Sequence, residues 1–168
     1  MISEVRGDRK VITNQYTYAQ KNKDFCIYER DFYKIIDKFN KGIYDTNYII
    51  FYDELFTLLE KGKLKKEILE FISQLRKRGI YLFTTVQEWL DINVTFRRYV
   101  RFYVECKMYN LPLFNCAISV NQIHDGYQMT WNNMINEYES PIIRTTVKKC
   151  GKAIADSYDT FEVIADNS

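Results

Sequence analysis

Histidine is almost missing from this chain: His124 is the only one in 168 residues. A zinc site needs several imidazole or thiolate ligands at close spacing, and no such cluster surrounds it. The four cysteines, Cys26, Cys106, Cys116 and Cys150, are widely scattered and form no C-x-x-C pair. They read as buried, reduced thiols of a cytoplasmic protein. No apolar run approaches the ~18 residues of a membrane span. The N-terminus, with Glu4, Arg6 and Asp8, is too charged for a signal peptide. Charge of one sign is lacking too: 24 basic residues face 22 acidic ones, so there is no bulk electrostatic case for nucleic acid. Internal repeats and low-complexity linkers are absent. So is the phosphate-cradling pattern G-x-x-x-x-G-K-[ST].

What the chain has in abundance is aromatic side chains, 14 Tyr and 11 Phe. With many Ile, Lys and Asn and few Ala and Gly, this is the signature of AT-rich coding as much as of physics. The tyrosines are therefore not read as base-stacking platforms. The length allows one domain with a sizeable core and room for a small appendage.

The most informative stretch is Tyr48, Ile49, Ile50, Phe51 and Tyr52, running straight into Asp53 and Glu54. A continuous apolar run reads as a buried parallel strand, covered on both faces. The C-terminal ends of such strands are where α/β sheets place their ligands. One acid there holds Mg²⁺ through water, and a second orients or deprotonates an attacking water. The plainer reading is that acids simply suit the start of a helix.

Neighbouring segments frame this strand. Residues 10–13 (KVIT) form a short strand followed by Asn14. Asp31 caps a helix with apolar positions Phe32, Ile35, Ile36 and Phe39, and Gly42 stands just past its end. Residues 63–78 carry an apolar stripe (Leu64, Ile68, Leu69, Phe71, Ile72, Leu75) and are stopped by Gly79. Residues 80–83 are a second buried strand, ending in Thr84 and Thr85 with Gln87 close behind. A loop or short helix with Arg97 and Arg98 follows, then a period-two strand from Val100 to Met108 that includes Arg101. Further on, Phe114, Cys116, Ile118 and Val120 alternate, and Asp125-Gly126 signals a hairpin turn, with Tyr127, Met129 and Trp131 alternating beyond it. Ile142, Ile143, Val147 and Ile154 predict a helix, and 158–163 a last strand. Alternating strands and helices predict an α/β fold with a mainly parallel sheet. Residues 1–110 are expected to form its core, and 111–168 a hairpin and helix/strand extension.

The runs VITN (11–14), IIFYDE (49–54), FISQLRKRGIYLFTTVQ (71–87) and DINVTFRRYVRFYVECK (91–107) resemble the zonula occludens toxin-type ATPases of filamentous phages. They are similarly like the viral DNA-packaging P-loop ATPases of the FtsK–HerA class. The resemblance spans 11–107 and rests on the order of the motifs more than on any one of them. It implies an ASCE-type P-loop sandwich in which Asp53 is the Mg²⁺-side carboxylate, Glu54 the catalytic base and Gln87 the γ-phosphate sensor. Thr85 would lie beside the nucleotide. Arg97, Arg98 or Arg101 would be an arginine finger acting across a homo-oligomeric ring. ATP and Mg²⁺ are the implied cofactors, double-stranded DNA bound without sequence preference the implied partner, and the host cytoplasm the implied location. The chain departs from the group in two ways: it lacks the phosphate loop, which should precede VITN with its strand and helix, and it lacks the membrane helix of the toxin-like branch. It therefore reads as a piece of such an ATPase, inactive alone.

The alternatives are a non-catalytic protein- or nucleic-acid-binding α/β module, or a metal-dependent nuclease using Asp53 and Glu54. The nuclease is disfavoured because two-metal sites need more acids than this strand end supplies.

Overall fold

The computed structural model describes residues 9–45, 47–55, 58, 65–86, 89, 92–111, 116–134 and 137–150. The chain divides into two compact units, Met1–Tyr99 and Val100–Ser168.

The first unit is built on four parallel strands: β1 (Val11–Thr13), β2 (Cys26–Tyr28), β3 (Ile49–Tyr52) and β4 (Tyr81–Thr84). Their order in the sheet is β2-β1-β3-β4. Ile49 to Tyr52 therefore lie beside Tyr81 to Thr84 in parallel register, as the two apolar runs predict. Helices α1 (Tyr16–Lys21), α2 (Phe32–Asn40) and α3 (Lys66–Gln74) connect the strands, and α4 (Val94–Arg97) follows β4. The chain leaves β1 for β2 on one side and returns past β1 to β3 on the other. The strand order reverses at β1, which is the arrangement that opens a crevice at the carboxyl ends of the strands.

Strand alternation sorts the core onto two faces. Val11, Ile49 and Phe51 share one face with Ala19 of α1 and with Tyr18 and Phe25. Ile12, Ile50 and Tyr52 point to the other, where α2 and α3 lie. There Phe32 meets Phe71 at 6.1 Å and Phe39 meets Phe71 at 5.5 Å between ring centroids. Ile12, Ile35, Ile50 and Ile68 are completely buried, and Phe32 almost so. Each such side chain contributes roughly 1.5–3 kcal/mol relative to exposure. The α2 start is set as expected, with Asp31 accepting from the Tyr33 amide at 2.9 Å. Gly42 just past α2, and Gly79 in the turn before β4, take left-handed φ values of 70° and 65°, a conformation glycine adopts without a Cβ penalty. The helix expected over 63–78 ends at Gln74, so Gly79 closes the following turn rather than the helix.

Three sequence expectations are corrected in the second unit. The strand from Val100 does not belong with the α/β core. It is β5 (Phe102–Leu111), and it pairs antiparallel with β6 (Cys116–Asp125). The segment after Pro141 is not a helix but β9 (Ile142–Cys150), antiparallel to the other edge of β6. Its run of Ile142, Ile143, Thr145, Thr146 and Val147 is β-branched, stiff in a helix and well suited to a ladder. Asp125-Gly126 is not the turn of a hairpin to the following segment. Asp125 instead caps a single 3₁₀ turn, Gly126–Gln128, accepting from the Tyr127 amide at 3.0 Å and the Gln128 side chain at 3.2 Å. Beyond it β7 (Thr130–Asn132) pairs with β8 (Glu137–Glu139). The predicted strand at 158–163 and the predicted helical position Ile154 lie outside the described residues.

No helix of the described residues is long and apolar enough to cross a membrane.

Candidate functional site

Three neighbouring parallel strands deliver polar residues to one edge of the first sheet. Asn14 and Gln15 follow β1, Asp53 and Glu54 follow β3, and Thr85 follows β4. Asn14 donates from Nδ2 to the Asp53 carbonyl at 2.9 Å and accepts the Asp53 amide on Oδ1 at 2.8 Å. Gln15 donates from Nε2 to Asp53 Oδ2 at 2.5 Å. The Thr85 hydroxyl donates to Asp53 Oδ1 and accepts the Glu54 amide at 2.9 Å. Each carboxylate oxygen of Asp53 thus accepts a hydrogen bond from a different neighbouring strand end.

Glu54 is exposed and has φ of 55°, a left-handed conformation rare for a residue with a side chain. Strain of this kind concentrates where surrounding structure over-determines the backbone. Here the determinants are Asn14 before it and Thr85 beside it. Just upstream, the Tyr52 phenol donates to the Arg30 carbonyl. Burial first, and the Asp31 charge second, push that phenol upward, so it stays a donor. An open cleft of about 480 Å³ is lined by residues 29–34, Tyr52 and Leu58; it contains none of the sequence-predicted site residues.

The structure brings Asp53, Glu54 and Thr85 together. Gln87 lies outside the described residues. Arg97, in α4, donates from Nε to the Ile92 carbonyl at 3.0 Å and lies 5.9 Å from the Trp89 ring centre. Arg98 is the exposed C-cap residue of the same helix. Arg101 belongs to the second unit, where its guanidinium lies 4.8 Å from the centre of the Tyr127 ring and 4.0 Å from Asp125. Asn14 and Gln15 are site residues that motif reasoning missed. The signal was present, because they directly follow the buried strand 11–13 as Asp53 follows 49–52.

As a metal site the edge is incomplete on its own. The described residues contain no group of three or more His, Cys, Asp or Glu side chains able to hold a metal ion. A triphosphate does not fit the chain as it stands, because the glycine-rich amide cradle and its lysine are absent from the sequence.

No family model matches the chain, and no curated protein matches it. Among solved structures, it is similar to the N-terminal domain of zonular occludens toxin from Neisseria meningitidis, at 20% identity and TM-score 0.47, over 90% of this chain and 80% of that one. It is also similar to the genome packaging NTPase B204 from Sulfolobus turreted icosahedral virus 2. The complex with ATP-γS gives 15% identity and TM-score 0.45, over 80% of this chain and 82% of that one. The complex with AMP gives 12% identity and TM-score 0.44, over 81% and 84%. These are the two groups of proteins whose motifs the sequence resembles.

Proposed function

We propose that this chain carries the Walker B half of a viral or mobile-element ATPase that moves double-stranded DNA, and that it works when completed by a phosphate loop. The observation that carries this reading is the convergence of three parallel strand ends on Asp53, with Glu54 beside it. Asp53 would hold a divalent cation through its water shell, and Glu54 would take the proton of an attacking water. Mg²⁺, when bound with the nucleotide, supplies charge neutralisation at the phosphate oxygens. Gln87 acts as the phosphate sensor.

A second feature fits docking of a phosphate-loop unit at the sheet edge. Strand β4 ends the sheet and has no ladder partner beyond it among the described residues. Tyr81 and Phe83 are about half exposed there (51% and 46%), on the face that α1 covers elsewhere. A parallel strand and helix bearing the phosphate loop would cover this edge, as parallel sheets require. Arg98 and Arg101 are both exposed, and Arg97 is held against the Ile92 carbonyl. One of Arg97, Arg98 and Arg101 serves as the finger in a homo-oligomeric ring. The complex works in the host cytoplasm and grips the DNA backbone without reading sequence.

Phosphate release tests the reading. The 168-residue chain is expected to show no ATPase activity, whereas a product that also carries a phosphate loop is expected to hydrolyse ATP with Mg²⁺. In that product Glu54→Gln abolishes turnover and leaves nucleotide binding intact. Hydrolysis by the short chain, or undiminished turnover by the variant, overturns the assignment.

A further inference from the structure

The β1–β3 ladder runs through Val11 and Ile49, Ile12 and Ile50, and Thr13 and Phe51. Past Thr13 the backbone turns away into α1, with Gln15 as its N-cap. No further backbone rung to β3 is available. The Asn14 carboxamide takes that place, because it presents one donor and one acceptor, as a peptide group does, and both meet the backbone of Asp53. Aspartate at this position would lack the donor, and alanine would lack both groups. Gln15 and Thr85 then approach the two carboxylate oxygens from opposite neighbouring strands. The Thr85 hydroxyl is used twice, since it also holds the amide of left-handed Glu54.

We propose that Asn14 is a positioning residue, a side-chain rung that fixes the backbone of Asp53 and Glu54, and that Gln15 and Thr85 are positioning residues that aim the Asp53 carboxylate. The clamp stands on the hydrogen bonds alone; that the aimed carboxylate serves a hydrated divalent cation rests on the ATPase reading. Preorganisation of this kind matters because a carboxylate held from several sides loses little freedom when its ligand arrives.

Two measurements on the 168-residue chain separate these levels. The first is amide hydrogen exchange by NMR. In Asn14→Ala the Asp53 amide exchanges about tenfold faster, the size expected for one net hydrogen bond, while Ile50 is unchanged. Thr85→Val accelerates the Glu54 amide in the same way, and Thr85→Ser restores it. The second is paramagnetic broadening by Mn²⁺ alone. The Asp53 and Glu54 signals broaden in the unaltered chain. Gln15→Ala and Thr85→Val reduce the broadening severalfold, and Thr85→Ser recovers it. Unchanged Asp53 exchange in Asn14→Ala, or equal acceleration at Asp53 and Ile50, overturns the clamp. An unaltered chain that Mn²⁺ does not broaden shows that the carboxylate as aimed here does not hold a cation without the completing part, which overturns that step of the inference, and the exchange data with the Thr85→Ser rescue then decide the clamp by themselves.

Discussion

The ring of Phe32 meets the ring of Tyr52 edge to face, with centroids 5.1 Å apart. Phe32 opens α2, and Tyr52 is the last residue of β3, immediately before Asp53. This contact joins the helix layer to the strand end that carries the acids. Its geometry is the favoured one for aromatic pairs. Phe32→Ala is expected to destabilise the N-terminal unit by about 3–5 kcal/mol, because the neighbouring rings of Tyr52 and Phe71 cannot collapse into the space. Urea unfolding followed by tyrosine fluorescence measures it, and a loss under about 1 kcal/mol would show that the layer repacks freely.

Glu54 offers a test of stored strain. A left-handed residue with a Cβ is disfavoured by about 1–2 kcal/mol, and glycine relieves that penalty. Glu54→Gly is expected to stabilise the chain, or at least not to weaken it, while removing the proposed base. Most substitutions destabilise, so a raised melting temperature from loss of a side chain is a distinctive outcome. A clear drop would mean that the Glu54 side chain holds the turn.

Gly126 is constrained by space rather than by φ. Its amide donates to the Arg101 carbonyl at 3.0 Å, and a Cβ placed there would lie 2.4 Å from the Val100 carbonyl oxygen. The obstacle is backbone, which cannot rotate away. Gly126→Ala is expected to weaken the C-terminal unit by about 1–3 kcal/mol. Hydrogen exchange locates the damage: amides of β5 and β6 lose protection, and those of β3 keep theirs.

Cys26 is buried, and that burial pushes its thiol up from 9.0 to about 11. At pH 8 only about one part in a thousand is thiolate, the form that reacts. Alkylation of Cys26 by iodoacetamide is therefore slow in the folded chain, and it accelerates as pH approaches 11 or when urea is added. The folded state also keeps this proton longer than the unfolded one. The associated stability is complete below pH 9 and is lost as pH rises from 9 towards 11. Cys26→Ala flattens the lower part of that decline in a denaturation series. Rapid alkylation of the folded chain at pH 8 would contradict the burial.

Residues that report their environment through side-chain type were readable before folding. The apolar runs at 49–52 and 80–83, joined by an amphipathic helix, identified adjacent parallel strands. The second was expected to be buried, but β4 is the edge strand with Tyr81 and Phe83 half exposed, because an apolar run does not say whether a strand is central or at an edge. Asp31 and Gly42 marked the limits of α2. Some short elements were not readable: β2 has three residues of which only Cys26 is buried, unlike the fully buried β1, and α1 has six with only Ala19 buried, too little for either period to emerge. In the C-terminal unit Asp125-Gly126 carried a hairpin dipeptide, but the edges of β6 were already taken by β5 and β9. The Asp125 side chain then served the turn that follows.

The sequence by itself determined that a buried strand would deliver Asp53 and Glu54 to its carboxyl end. A continuous apolar run must be covered on both faces, and its polar terminus must emerge at a sheet edge. Only the tertiary structure decided what meets those acids. Asn14 and Gln15 reach Asp53 across 39 and 38 residues, and Thr85 across 32. Those contacts exist because β1 and β4 flank β3. Strand order is settled by how helices and loops compete to cover the whole sheet. The periodicity of one segment records what that segment buries, and it carries no information about which other segment lies beside it.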